Sequence, residues 1–212
     1  MKRFSMALFA ALAMFAVTAV SGAEPVEGKD YVRLKNAPPV ETGNKIEVIE
    51  FFSYGCPHCN DLEPFLHAWA EKLPADVQFR RIPVIFQERW KGLARVYYTL
   101  DALGEDMRLS PEVFKAVHAQ GLPLYQDKPF FDWAASKGLD KTKVSEIYNS
   151  FAVTSKLNRA TSMAQAYNVQ AVPTVIVDGK YLTSSDRVGT HAQLPAELDA
   201  LVAKARAERP KT

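Results

Sequence analysis

The sequence predicts an α/β fold in which an all-helical domain interrupts a mixed β-sheet. Two strand-like runs, 45–52 and 77–84, flank a segment whose apolar residues have the 3.6-residue spacing of a helix. A strand, a helix and a strand joined by short links form a parallel βαβ unit. Residues 87–151 then carry helical patterns without a strand signal, and strand signals return at 174–182. Both ends of the chain are therefore expected to contribute to one sheet.

The first 23 residues predict a secretory signal peptide. A basic start at Lys2 and Arg3 precedes an apolar run from Phe4 to Val20, and small residues end at Ala23. The alternative is a membrane anchor, because the run approaches the roughly 17 residues that can span a bilayer. The acidic, proline-containing segment that follows favours cleavage after Ala23, and hence an exported protein.

The charge balance argues against a nucleic-acid partner. The chain has 26 Lys and Arg against 24 Asp and Glu. Cleavage after Ala23 removes Lys2 and Arg3 but no acid, so the mature chain has a formal net charge of zero. Nucleic-acid binding normally needs a basic face. The mature chain also exceeds a minimal single-sheet unit, which predicts one domain with an insertion, or two small domains.

The first part of the sheet follows a polar, turn-rich stretch with a short strand candidate at 31–34. The run 45–52 is rich in β-branched and aromatic residues, which predicts a strand buried on both faces. Glu50 lies inside this run. A buried, unpaired carboxylate there would have a raised pKa, and exposure at a strand end is the alternative.

A helix is predicted from Pro57, a residue that suits a first helical turn. Pro64 lies inside the same pattern and predicts a kink. The apolar face of this helix comprises Leu62, Phe65, Leu66, Trp69 and Leu73. The strand 77–84 follows.

The segment 87–151 predicts the inserted all-helical domain. Ser110-Pro111 and Asp140 resemble helix starts with an N-cap. The predicted helices run over 90–103, 111–119, 129–137 and 141–151. The sheet domain is then discontinuous and comprises residues 24–86 and 152–212.

The chain returns to the sheet domain through a predicted helix at 155–167. A strand at 174–177 and a return strand at 180–182 flank Asp178-Gly179, which is typical of a tight hairpin. Leucines from Leu194 onward predict a terminal amphipathic helix.

The chemistry is predicted at Cys56-Pro57-His58-Cys59, which contains both cysteines of the chain. A Cys-x-x-Cys pair between a strand and a helix is typical of a redox dithiol. A structural disulfide would usually close a longer loop. A structural zinc site needs about four ligands, and no second cysteine pair supplies them, so no metal is expected.

With these features the chain resembles the DsbA family of periplasmic thiol:disulfide interchange proteins. The resemblance rests on the exported leader, Pro57-His58 between the cysteines, the helical insertion and Val172-Pro173. It implies a thioredoxin-like fold for the sheet domain and a periplasmic location. It also implies a cis-proline loop at Val172 and Pro173 that lies beside the dithiol and binds peptide; an ordinary trans proline opening a strand is the alternative.

The expected roles follow from the position of the dithiol. Cys56 should lie at the helix N-terminus, where backbone N–H groups favour a thiolate. Cys59 should be buried and act as the resolving or leaving thiol. His58 should stabilise the thiolate, unless it is simply an exposed loop residue. Glu50 and Glu63 are candidates for tuning the pKa of the dithiol, although Glu63 could equally lie on a solvated helix face.

The remaining histidines and the tryptophans are assigned structural roles. The histidines are expected at the surface or in capping positions, and the tryptophans in packing positions. These residues are His67, His118 and His191, with Trp69, Trp90 and Trp133.

The sequence thus predicts a monomeric enzyme, a dithiol oxidase that donates the Cys56–Cys59 disulfide to exported polypeptides. The chain has no flavin, haem or metal signature, so no cofactor is expected. The resemblance implies re-oxidation by a quinone-linked membrane partner like DsbB. A reductase or isomerase is one alternative. Isomerases of that compartment are dimers with a separate dimerisation domain, for which the roughly 20 mature residues before the strand 45–52 are too few. A non-enzymatic, peptide-binding holdase is the other.

Overall fold

The computed structural model describes residues 24–35 and 38–209. The predicted signal peptide and its cleavage site lie outside these residues. Among the residues described, no helix is both long and apolar enough to cross a bilayer.

A five-stranded mixed sheet forms the centre of the molecule, in the order β1-β5-β4-β2-β3. Strand β2 pairs in parallel with β3 and antiparallel with β4, and the other two pairings are also antiparallel. The strands are β1 (Val32–Arg33), β2 (Ile46–Phe52), β3 (Val77–Pro83), β4 (Thr174–Val177) and β5 (Tyr181–Thr183). Each lies within two residues of its predicted position, which confirms the α/β prediction and the joining of the two chain ends.

Strand β2 is buried along its whole length because helices cover both faces of the sheet. On one face, Ile46 and Val48 pack with Leu62 and Leu66 of the first helix. On the other, Ile49 contributes to a larger core formed with the central helices. The prediction of a strand buried on both faces is therefore confirmed.

The helices account for most of the remaining chain. They are α1 (Pro57–Ala70), α2 (Glu88–Ala102), α3 (Asp106–Phe114), α4 (Asp127–Ser136), α5 (Lys141–Tyr148), α6 (Phe151–Ala166), α7 (Ser185–Val188) and α8 (Leu194–Glu208). A π-helical turn, Lys115–Ala119, continues α3. The described chain from α2 to α5 contains no strand, as predicted, and its treatment as a separate domain with limits at 87 and 151 stays a prediction.

The predicted start of α3 at Ser110-Pro111 is wrong. The helix begins at Asp106, and Pro111 lies in its interior. Tertiary packing explains the difference, because Leu109 is buried in the core and the Ser110 hydroxyl is hydrogen-bonded to Tyr54 at 2.6 Å. These contacts hold residues before Pro111 in the helix, where local propensity alone would not.

Other local signals have the expected geometry. Asp140 caps α5 by accepting a hydrogen bond from the backbone N–H of Lys143 at 2.8 Å. Asp178 and Gly179 have φ values of +52° and +65°, as a tight hairpin requires. Helix α6 begins four residues earlier than predicted, since Ser150 caps it through the N–H of Val153.

Candidate active site

Cys56 is the N-cap residue of α1, and Pro57 occupies the first helical turn. Both cysteines are free thiols. The Cys56 side chain is 5% exposed, whereas Cys59, one turn further along the helix, is completely buried. The expectation that Cys56 lies at the helix N-terminus, and that Cys59 is the more buried of the two, agrees with this geometry.

A short loop positions Cys56 at the end of β2. The N–H of Cys56 donates to the carbonyl of Ser53 at 3.0 Å, and the N–H of Gly55 donates to the Ser53 hydroxyl at 3.1 Å. Gly55 is required here because a Cβ atom at this position would lie 2.5 Å from Nε1 of Trp90. The buried Trp90 therefore packs directly against the loop that carries the dithiol.

The loop before β4 approaches the same thiol from a distant part of the chain. The peptide bond between Val172 and Pro173 is cis, as the family resemblance implies. The Val172 carbonyl oxygen lies 3.5 Å from Sγ of Cys56, within hydrogen-bonding range of a thiol. Val172 and Pro173 are both half-buried. The fold therefore brings the two motifs together, as predicted.

The two thiols ionise very differently. A hydrogen bond from the Cys59 thiol, helped by the N–H groups of Cys59 and His58 and by the charge of His58, lowers the pKa of Cys56 to about 6. Burial raises the pKa of Cys59 well above its usual value, and the neighbouring Cys56 and Glu50 add to this effect. At pH 7 Cys56 is consequently the thiolate and Cys59 the thiol. His58 is exposed at the surface beside them.

Beneath the dithiol lies a buried cluster of three charges. Arg81 of β3 donates to Glu50 through Nε at 2.8 Å and to Glu63 through Nη2 at 2.5 Å. Glu50 is 1% exposed, Glu63 4% and Arg81 4%. The exposed alternatives for Glu50 and Glu63 are therefore wrong, because both carboxylates face the interior and share one guanidinium.

The cluster holds one positive charge against two carboxylates. Burial raises the pKa of Glu50 to about 7, with Arg81 opposing and Glu63 reinforcing the shift. The pKa of Glu63 is also raised by burial, against the effect of Arg81. Although burial opposes it, pairing with Glu50 and Glu63 raises the pKa of Arg81.

Arg81 is a site residue that the sequence analysis missed. The sequence feature that could have indicated it is a charged residue inside the predicted strand 77–84, directly before the apolar Ile82. Register explains the contact, since Arg81 lies opposite Glu50 in the parallel pairing of β2 and β3. Glu63 reaches the same point from α1, which crosses this face.

The other histidines contact protein groups, and the tryptophans occupy packing positions. The His118 ring is hydrogen-bonded to the Tyr54 carbonyl at 2.8 Å, and the His191 ring to the Ser185 hydroxyl at 2.7 Å. His67 contacts Glu63 at 3.4 Å. The three tryptophans are buried, which confirms their packing role.

These features define a class of protein: a thioredoxin-like fold with a helical insertion and a Cys-x-x-Cys dithiol at the start of a helix. Comparison with known proteins agrees. The family model "DSBA-like thioredoxin domain" matches residues 47–194. The chain therefore belongs to the DSBA-like thioredoxin family, and it is a thiol:disulfide oxidoreductase.

Individual relatives cover nearly the whole chain. The thiol:disulfide interchange protein DsbA of Pseudomonas aeruginosa is 40% identical over 184 residues, covering 87% of this chain and 87% of the relative. DsbA of Bordetella parapertussis is 37% identical over 201 residues, covering 94% and 96%. The crystal structure of Pseudomonas aeruginosa DsbA superposes with a TM-score of 0.81 at 40% identity, covering 85% of this chain and 94% of that one.

Proposed function

We propose that this protein oxidises pairs of thiols in exported polypeptides by donating the Cys56–Cys59 disulfide. The observation that carries this proposal is the asymmetry of the dithiol. Cys56 lies at a helix N-terminus beside the Val172 carbonyl, and Cys59 is completely buried behind it. Features that stabilise the reduced thiolate make the corresponding disulfide a stronger oxidant.

The reaction has two exchange steps. A substrate thiolate attacks Sγ of Cys56, and the bond to Cys59 breaks, so that Cys59 leaves as a thiolate and takes up a proton. The second substrate thiolate then attacks the substrate sulfur of the mixed disulfide and releases the Cys56 thiolate. Two electrons pass from the substrate dithiol to the enzyme. The lowered pKa of Cys56 makes it the better leaving group in the second step.

Val172 and Pro173 are proposed to hold the substrate peptide. Their loop reaches Cys56, so a peptide linked to that sulfur would lie across it. A groove of about 310 Å³ adjoins the loop and is lined in part by Val84, Phe86 and Val169. Phe86 is 47% exposed, which suits contact with an unfolded, apolar segment.

Glu50 and Glu63 are proposed to tune the dithiol through Arg81. The charge of Glu50 contributes to the raised pKa of Cys59, which keeps the buried thiol protonated in the reduced enzyme. Arg81 offsets part of this negative field, and Glu63 fixes the guanidinium in place. The effect on the chemistry is therefore transmitted by charge rather than by contact with substrate.

The remaining proposals rest on the sequence and on membership of the DSBA-like family. Re-oxidation by a quinone-linked membrane partner resembling DsbB would return the disulfide. A periplasmic location, export by a signal peptide cleaved after Ala23 and a monomeric state accompany this assignment.

The test is oxidative folding of a reduced, disulfide-containing substrate by the stoichiometric oxidised protein. We expect wild type to introduce disulfides rapidly and the Cys56→Ser variant to introduce none. A holdase would assist folding equally well with Cys56→Ser, and that result would reject the oxidase. If the protein is a reductase, the wild type would not introduce disulfides in this assay but would reduce the disulfides of folded substrates.

A further inference from the structure

We propose that His58, Asp61 and His191 form a binding site at the entrance to the dithiol for a divalent metal ion such as Zn²⁺. One ligand atom from each side chain lies within 4.8 Å of the other two. His58 and Asp61 are three residues apart on the first turns of α1, so they share one face of the helix. His191 approaches from the short 3₁₀ turn His191–Gln193 that precedes α8.

The donor set suits such an ion. Two imidazoles and a carboxylate are established ligands of Zn²⁺, which binds them at about 2.0–2.2 Å. Ligand atoms around a tetrahedral Zn²⁺ are about 3.4 Å apart, so the three atoms need to approach one another by at most about 1.4 Å. His58 and Asp61 are exposed, so their side chains can rotate to do this. Three protein ligands leave one coordination position for water.

His191 is already oriented for binding. Its Nδ1 is hydrogen-bonded at 2.7 Å to the hydroxyl of Ser185, which is itself only 5% exposed. With Nδ1 protonated and donating to that hydroxyl, Nε2 carries the lone pair that a metal requires. A second hydrogen bond of this kind commonly fixes the tautomer and orientation of metal-binding histidines.

Sequence spacing gave no sign of this group, because about 130 residues separate Asp61 from His191. Another histidine offers a useful comparison. His67 lies on α1 between Glu63 and Glu71, at 3.4 Å and 3.7 Å. Glu63 is already paired with the buried Arg81, so this second cluster has only one uncommitted carboxylate. We expect the metal at His58 and not at His67.

A metal ion at this site would regulate the enzyme. His58 stands between the two cysteines in the sequence and contributes to the environment of Cys56. An ion that holds His58 would occupy the approach to the Cys56–Cys59 bond and slow its reaction with substrate thiols. The inhibition would be reversible by chelation.

The test is calorimetric titration of ZnCl₂ into the oxidised mature chain, in which the disulfide prevents the cysteines from acting as ligands. We expect one ion per chain with a micromolar dissociation constant. Asp61→Asn and His191→Ala should each weaken binding at least about 10-fold. The matched control, His67→Gln, should bind as wild type does. Circular dichroism and thermal melting establish that each variant is folded.

A readout that needs no variant is the nitrogen chemical shift of the histidine rings. Zinc should shift the Nε2 resonance of His191 and a ring nitrogen of His58, and leave His67 and His118 unchanged. Zinc should also slow peptide oxidation by wild type more than by His191→Ala. The proposal is overturned if oxidised wild type fails to bind zinc below about 1 mM. It is equally overturned if His191→Ala binds normally, or if His67→Gln abolishes binding.

Discussion

The surroundings of the two cysteines differ sharply although the residues lie one helical turn apart. Cys56 caps α1, receives N–H groups from the turn that follows and faces the Val172 carbonyl. Cys59 is enclosed by the core and lies above a cluster with one more carboxylate than cations. The helix terminus stabilises an anion at the first position, and burial beside negative charge opposes one at the second. A single turn of helix thus separates nucleophile and resolving thiol.

The largest expected effect comes from replacing each of the two cysteines in turn. With a pKa of about 6, Cys56 is about nine-tenths ionised at pH 7, while the raised pKa of Cys59 leaves it protonated. Cys59→Ser should therefore form a mixed disulfide with an activated peptide disulfide almost as fast as reduced wild type. It should then accumulate that species, since the resolving thiol is missing.

Cys56→Ser should react at least about 1,000-fold more slowly, because the remaining thiol is both buried and protonated. Mass spectrometry of quenched samples measures both rates. Comparable trapping by the two variants would show that the ionisation of the thiols is not asymmetric.

The second prediction concerns the charge cluster under Cys59. Arg81→Met leaves two buried carboxylates without their cation and should lower the free energy of unfolding by about 3–5 kcal/mol. Arg206→Met is the control, because its pair with Asp76 is about half exposed on both sides and should cost less than about 1 kcal/mol. Urea denaturation of the oxidised proteins measures both losses.

Similar losses in the two arginine variants would mean that the cluster does not depend on Arg81 for stability. The double variant Arg81→Met, Glu50→Gln separates charge from packing. It should recover part of the loss, since it removes one of the two uncompensated carboxylates.

The third prediction is that the free energy of unfolding depends on pH through the Glu50 carboxyl. Its pKa is raised from 4.5 to about 7 in the folded protein, so the folded state binds the proton more tightly than the unfolded state does. The stability of wild type should fall as pH rises through 4.5 towards 7, and Glu50→Gln should lack this fall. As pH rises, Glu50→Gln should therefore become more stable relative to wild type. The gain in its free energy of unfolding should be at most about 3 kcal/mol.

Denaturation of the oxidised proteins between pH 4 and 8 tests this without interference from the thiols. A difference that stays constant across that range would mean that the Glu50 carboxyl keeps an ordinary pKa.

The smallest predicted effect is that of His58 on Cys56. The hydrogen bond from Cys59 and the backbone N–H groups remain in His58→Asn, and only the imidazole charge is lost. The pKa of Cys56 should rise only slightly, because the charge of His58 is the smallest of the influences that lower it. Thiolate absorbance at 240 nm, followed against pH in buffer with EDTA, measures the shift. An unchanged pKa would leave helix geometry and Cys59 as the source of the low value.

Much of this arrangement could be predicted from sequence because its signals are local. Apolar spacing located α1, the Asp178-Gly179 pair located the hairpin, and the position of Cys56 before Pro57 placed it at a helix start. The predicted start of α3 is wrong because distant contacts hold Leu109 and Ser110 in the helix. Arg81 was missed for the same reason, since its partners come from β2 and α1 and become neighbours only through the register of the sheet.

Stabilisation of the reduced Cys56 thiolate makes the Cys56–Cys59 disulfide an oxidant. The most direct test is the equilibrium potential of the Cys56–Cys59 couple in glutathione buffers containing EDTA. We predict a potential above about −180 mV, the value of protein disulfide isomerase. A potential of about −270 mV, the value of thioredoxin, would mean that the disulfide is not an oxidant.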